Sequence, residues 1–211
     1  FVDHSREMVA RGEARFEAFG HLLHKYAWAA PCTYGEVGVS LYQEFKALAG
    51  LMAASGWADG PVETYTLVGG DLSGIQDFIY TITSKGAAKG LRGRSFFLQL
   101  IGDAVVRRLV ADLELCWANV IYQAGGNFML LAADGNETVR VEDNVRRRVN
   151  ALLMKATQAD LYLVMTSRQI GRAALFDSER FLTEREQLGK QFEVIKRQPL
   201  AGLETDWATT F

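Results

Sequence analysis

The stretch Leu67-Val68-Gly69-Gly70-Asp71-Leu72-Ser73-Gly74-Ile75-Gln76-Asp77-Phe78 joins an apolar strand, ending in a carboxylate, to a glycine-marked turn and the start of an amphipathic helix. A second glycine turn, Ala124-Gly125-Gly126-Asn127-Phe128, lies between two short apolar runs further on. The chemistry open to such residues is phosphate binding. The first amides of a helix lack internal partners and carry the positive end of its dipole, so Ser73 and the amides of Gly74 and Ile75 can face phosphate, while a bare glycine turn lets backbone approach it closely. Structural readings stand beside this one: tight turns at Gly69, Gly70 and Gly74, Asp71 as a cap of the next helix, and Asn127 as a left-handed turn residue. Spacing alone leaves both open.

Palm domains of nucleotide cyclases and polymerases place acidic residues at the end of the first strand and in the central hairpin, where they hold two divalent cations across a triphosphate. Here Asp71 stands alone: the place two residues on is Ser73, and the hairpin carries Asn127. The residues therefore predict nucleotide binding with no catalytic side chain and no metal site of its own. Lys85, Lys89, Arg92 and Arg94 put four positive charges on a predicted loop, which could clamp phosphates or RNA backbone. The same loop could equally be solvated, its arginines paired with local carboxylates. Arg146-Arg147-Arg148 reads as a solvated helix face. His21 and His24 could make half of a metal site, but no partner motif appears and they are read as structural.

The elements that must position these groups follow from apolar periodicity. Helical spacing runs from Ser5 to Trp28 and, after Pro31, from Leu41 through Phe45, Leu48, Leu51 and Met52. A loop before Pro61 closes this helical segment at residues 1–60. A strand is predicted over 63–69, a helix over 75–83 with Ser73 as its N-cap, a loop over 85–94 because of three glycines, and a helix from an N-cap at Ser95 to Leu115 with Phe96, Leu98, Leu100, Val105 and Leu109 on its apolar face. Strands at 117–123 and 128–132 make a hairpin. A helix over 139–158, with Val145, Val149, Leu152 and Leu153 inward, and a strand over 161–167 complete a βαββαβ order. The fold class is α+β: a ferredoxin-like antiparallel sheet with helices on one face over 61–168, followed by a helical tail over 169–211 with Phe181, Leu182, Leu188, Phe192 and Ile195 apolar.

The 211 residues are 49 % hydrophobic and 23 % charged with a net charge of −2, so nothing attracts nucleic acid globally. The two cysteines, Cys32 and Cys116, form no CxxC pair, which argues against zinc and fits a reducing cytoplasm. No apolar run is long enough to span a membrane. An opening at Phe1 rather than methionine is what a piece of a longer protein would show.

Together, residues 70–80, 85–96 and 125–128 closely resemble the first palm of the large subunit of type III-A (Csm) CRISPR effector complexes; Tyr26 to Tyr42 is similar to the passage from that family's HD domain. The resemblance implies an intact subunit that, with target RNA bound, converts ATP into cyclic oligoadenylates through a second palm bearing Gly-Gly-Asp-Asp, which holds the Mg or Mn and is missing here. It implies an ATP pocket with Asp71, Ser73, Gly74 and Gln76 near the phosphates and Gly125, Gly126 and Asn127 along the other wall. It also implies that this segment alone is inactive, with the second palm, other Csm-type subunits, crRNA and target RNA as partners, and that an uncovered palm self-associates. The family's His-Asp pair is absent, Gln43-Glu44 standing where Asp-His is common, so no metal-dependent cleavage of single-stranded DNA is expected. The alternatives are a structural packing module without nucleotide binding and a self-sufficient nucleotide cyclase, which the missing carboxylates oppose.

Overall fold

The computed structural model describes residues 16–32, 38–56, 62–80 and 87–197. The β-branched run after Pro61 forms β1 (Thr64–Ser73), a strand on which six consecutive residues, Tyr65 to Gly70, are buried. Side chains alternate along a strand, so an unbroken buried run requires a sheet dry on both faces. The other elements supply those faces. Helices α1 (Phe16–Ala27) and α2 (Leu41–Ala54) precede β1; α3 (Ile75–Tyr80), α4 (Ala87–Asp112), β2 (Val120–Ala124), β3 (Asn127–Ala133), α5 (Asn136–Thr157), β4 (Tyr162–Gly171), α6 (Arg172–Leu175) and α7 (Ser178–Lys196) follow.

The strands form one antiparallel sheet in the order β2-β3-β1-β4, the ferredoxin-like arrangement expected from the element order. Val68, Leu72, Phe128, Leu130 and Met165 face α4 and α5, where Leu98, Val105, Leu109, Val145 and Leu153 complete a core. Leu67, Met129, Leu131 and Val164 point the other way, onto Ala54 of α2 and Leu188 and Phe192 of α7. The flanking helices thus close the face that the two palm helices leave open.

Two buried asparagines fasten this arrangement. Asn119 Nδ2 donates to the Gly50 and Leu131 carbonyls, both at 2.8 Å, which ties α2 to the sheet. Asn150 of α5 donates to the Leu163 carbonyl at 2.9 Å and accepts from the Leu163 amide at 2.6 Å, so its amide covers part of the open edge of β4.

Several expectations are corrected. β1 runs on to Ser73, which pairs with Tyr162 inside the sheet rather than capping α3; Gly74 precedes that helix and its carbonyl accepts from the Phe78 amide at 3.0 Å. Residues 87–94 are helical, not loop, and Ser95 lies mid-helix. Tertiary contact outweighs the glycine penalty: the Arg94 guanidinium donates to the Phe78 carbonyl and lies over its ring, and Phe97 packs 5.9 Å from that ring. Trp117–Asn119 is a 3-10 turn before β2 rather than strand. Phe96, Leu100, Leu152 and Leu182 face outward, because the helices turn Leu98, Val105, Leu153 and Leu188 inward instead. Lys85 and residues 1–15 lie outside the described residues.

Candidate functional site

Site geometry begins where β1 meets the hairpin. Gly125 and Gly126 make the two-residue turn with φ of +61° and +87°, a conformation glycine adopts without strain. A Cβ on Gly126 would come within 2.8 Å of Ile75 Cδ1, whereas one on Gly125 would meet nothing within 4 Å. Asn127 is not a left-handed residue; it belongs to β3, directly opposite Asp71. Gly74, at φ +86°, brings its Cα side so close to the chain before β4 that a Cβ would lie 1.8 Å from the Asp160 carbonyl oxygen. Gly74 and Gly126 are therefore required by both backbone conformation and packing, and Gly125 by conformation.

Beside the turn a polar chain crosses the sheet. Tyr122 Oη donates to Asn127 Oδ1 at 2.7 Å, and Asn127 Nδ2 donates to Asp71 Oδ1 at 3.2 Å. The other Asp71 oxygen lies 3.0 Å from the ammonium of Lys196, which also reaches Glu193 at 3.2 Å. The Arg185 guanidinium sits 5.9 Å from the centroid of the Tyr122 ring. Burial pulls the Lys196 pKa down, but the hydrogen bonds and charges of Asp71 and Glu193 outweigh it and the net shift is upward, so the group is cationic at neutral pH.

On the opposite side of the turn lies a cavity of about 530 Å³, floored by Ile79, Leu98 and Phe128 and edged by Ser95, Asp103 and Gln123. Gln123 Nε2 donates to Asp103 Oδ1 at 2.6 Å. An apolar slot with a few polar groups at one rim suits a flat ring with hydrogen-bonding edges. Gly125, Gly126 and Asn127 line it; Asp71, Ser73, Gly74 and Gln76 do not. Ser73 is buried and Gln76 exposed on α3. Lys89 and Arg92 project from the first turns of α4, while Arg94 is held against α3. His21 and His24 edge a second cavity, where His24 meets Tyr42 edge-on at 4.8 Å.

Sequence reasoning missed Lys196, Tyr122, Asp103 and Gln123. For Lys196 a signal existed: it follows Leu188 and Phe192 at four-residue steps and so shares their helix face. A pair of divalent cations does not fit these donors, since Asp71 is spent on Lys196 and Asn127, and among the described residues no three His, Cys, Asp or Glu side chains gather. Nor, among those residues, is any helix long and apolar enough to cross a membrane.

Residues 64–210 match the family described as Csm1 subunit domain B. The Cas10/Csm1 single-strand-specific deoxyribonuclease of subtype III-A from Thermococcus onnurineus is 32 % identical over 183 residues, covering 79 % of this chain and 24 % of that protein. Among solved structures, a Csm1–Csm4 cassette in complex with one ATP superposes with a TM-score of 0.78 at 30 % identity, over 95 % of this chain and 30 % of that one. The cassette in complex with cA4 gives 0.77 at 29 %, over 87 % and 27 %. The chain thus spans about a quarter of the length of such relatives.

Proposed function

The chain belongs to the Csm1 subunit domain B family of type III-A CRISPR systems, and from that premise we propose that it is the ATP-binding, non-catalytic palm half of a large subunit that makes cyclic oligoadenylates when target RNA is bound, in antiviral defence. The single observation that carries this is the cavity against the Gly125–Gly126 turn, with an ammonium on the far side of the same turn. A purine placed in the slot would direct its phosphates over a turn that presents backbone and no side chain. The structural relatives in complex with ATP and cA4 support nucleotide as the ligand. In this reading the second palm contributes Mg or Mn and the reacting groups, and this half orients the nucleotide. Csm4-type subunits are the expected neighbours, as in the related cassettes.

Calorimetric titration of ATP into the chain tests the proposal. Binding at millimolar affinity or better is expected, and Ser95→Trp, which places an indole at the cavity rim from an exposed helix position, should weaken it at least about tenfold. The second reading, a packing module, is favoured by Phe45, Leu48 and Met52, which leave an apolar stripe exposed on α2. Absence of heat with ATP, together with concentration-dependent association abolished by Leu48→Glu, would select it. Although the Thermococcus relative is named a deoxyribonuclease, this chain is expected to leave a labelled single-stranded oligonucleotide intact in manganese.

A further inference from the structure

We infer that Lys196 stands where a metal-binding palm holds a divalent cation, so that this palm receives a nucleoside triphosphate through an ammonium and needs no metal ion of its own; the inference rests on the nucleotide reading above. Asp71 is the one carboxylate of β1, and its Oδ2 lies 3.0 Å from Lys196 Nζ. The hairpin residue opposite turns an amide donor, not an oxygen, toward that carboxylate: Asn127 Nδ2 is 3.2 Å from Asp71 Oδ1, while Asn127 Oδ1 is taken by Tyr122. A cation between the two strands would find one anionic ligand already neutralised and an N–H pointing at it. The charge that a metal would supply is already present in covalent form.

The lysine is also delivered rigidly. Leu188 and Phe192, eight and four residues before it on α7, are buried against Gly69, where a Cβ would fall 2.8 Å from the Phe192 ring and 2.9 Å from Leu188. Two positions along β1 from Gly69, on the same face, is Asp71. An ammonium has three N–H donors, and Asp71 and Glu193 use two. The third is available to a phosphate oxygen, and Glu193, largely exposed, can release another. Asn127 links the cation to the cavity, because it lines the slot and also holds Asp71.

The test is calorimetric titration of the 211-residue chain with ATP and with adenosine, each in EDTA and in magnesium chloride. Wild-type affinity for ATP should differ less than about threefold between the two media, and Lys196→Met should weaken ATP in EDTA about tenfold while leaving adenosine unchanged. Lys196→Arg, which keeps a cation, should recover most of the loss. A wild-type affinity that climbs tenfold or more with magnesium, or a Lys196→Met chain that binds ATP in EDTA as tightly as the parent, overturns the inference while leaving nucleotide binding intact. Failure of both adenosine and ATP to bind sinks the nucleotide reading itself, and this inference with it.

Discussion

Gly74 and Gly93 differ in what a methyl group would meet. At Gly74 a Cβ would strike the Asp160 carbonyl oxygen at 1.8 Å from a backbone at φ +86°, while at Gly93, inside α4, it would meet nothing within 4 Å. Gly74→Ala should therefore cost on the order of 2 kcal/mol or more, and Gly93→Ala should add about 0.5–1 kcal/mol, both read by urea denaturation. Glu142 offers a titration. Burial holds its carboxyl above the ordinary glutamate value, against the pull of the Ser167 hydroxyl and Arg146. A raised folded-state pKa favours the protonated form, so this group's contribution is complete below the unfolded value and is lost as pH rises through the folded one. Glu142→Gln, uncharged throughout, should raise the melting midpoint near pH 8, and the gap should close toward about pH 4, checked by calorimetry at both. Asp71 and Asn127 were each marked by residue type beside a glycine turn, and the strand register sets them opposite each other. The partner of that pair was not so marked, since Lys196 comes from a helix far along the chain whose docking onto Gly69 only the packed structure reveals.

At the scale of elements, the order of strands and helices followed from the repeating apolar stripe of the helices and from short apolar, β-branched runs between glycine turns for the strands. Tertiary contacts override local propensity at particular positions. Gly90 and Gly93 argue against a helix at 87–94, yet Arg94 and Phe97 fasten that helix to α3 through Phe78. The inward stripe of α5 was mistaken at Leu152 because neighbouring Leu153 satisfies the same periodicity one position on. Attachment of α2 was also invisible, since it depends on one buried amide. Asn119 bonds Gly50 and Leu131 and accepts from the Cys116 amide at 3.1 Å, so Asn119→Ala leaves two carbonyls and an amide without their partner. A loss of about 2–3 kcal/mol is expected. Hydrogen exchange provides the sharper readout: amides of α2 should lose protection in the variant before those of β1 and β4, and uniform loss across the sheet would show that the helix is no separate unit.

For the molecule as a whole, the decisive fact is that the central strands β1 and β3 are covered on both sides. A ferredoxin-like order by itself suggests helices on one face and a second face left for partners. Here α2 and α7 occupy that second face, over Leu67, Leu131, Val164 and Ile170. The unbroken burial of β1 from Tyr65 to Gly70 is what a twice-covered strand requires. It follows that α7 is part of the fold and also the carrier of Lys196, so the cation is set in place by the same packing that closes the core. A chain ending after Leu175 removes Leu188 and Phe192, whose burial contributes about 3–6 kcal/mol at roughly 1.5–3 kcal/mol for each side chain. That is a large part of the stability a domain of this size possesses. The shortened chain should keep its far-ultraviolet circular dichroism in proportion to length, bind a hydrophobic dye, and melt without a cooperative transition. A sharp transition near that of the parent would mean that β1 tolerates a wet face and that α7 is an appendage.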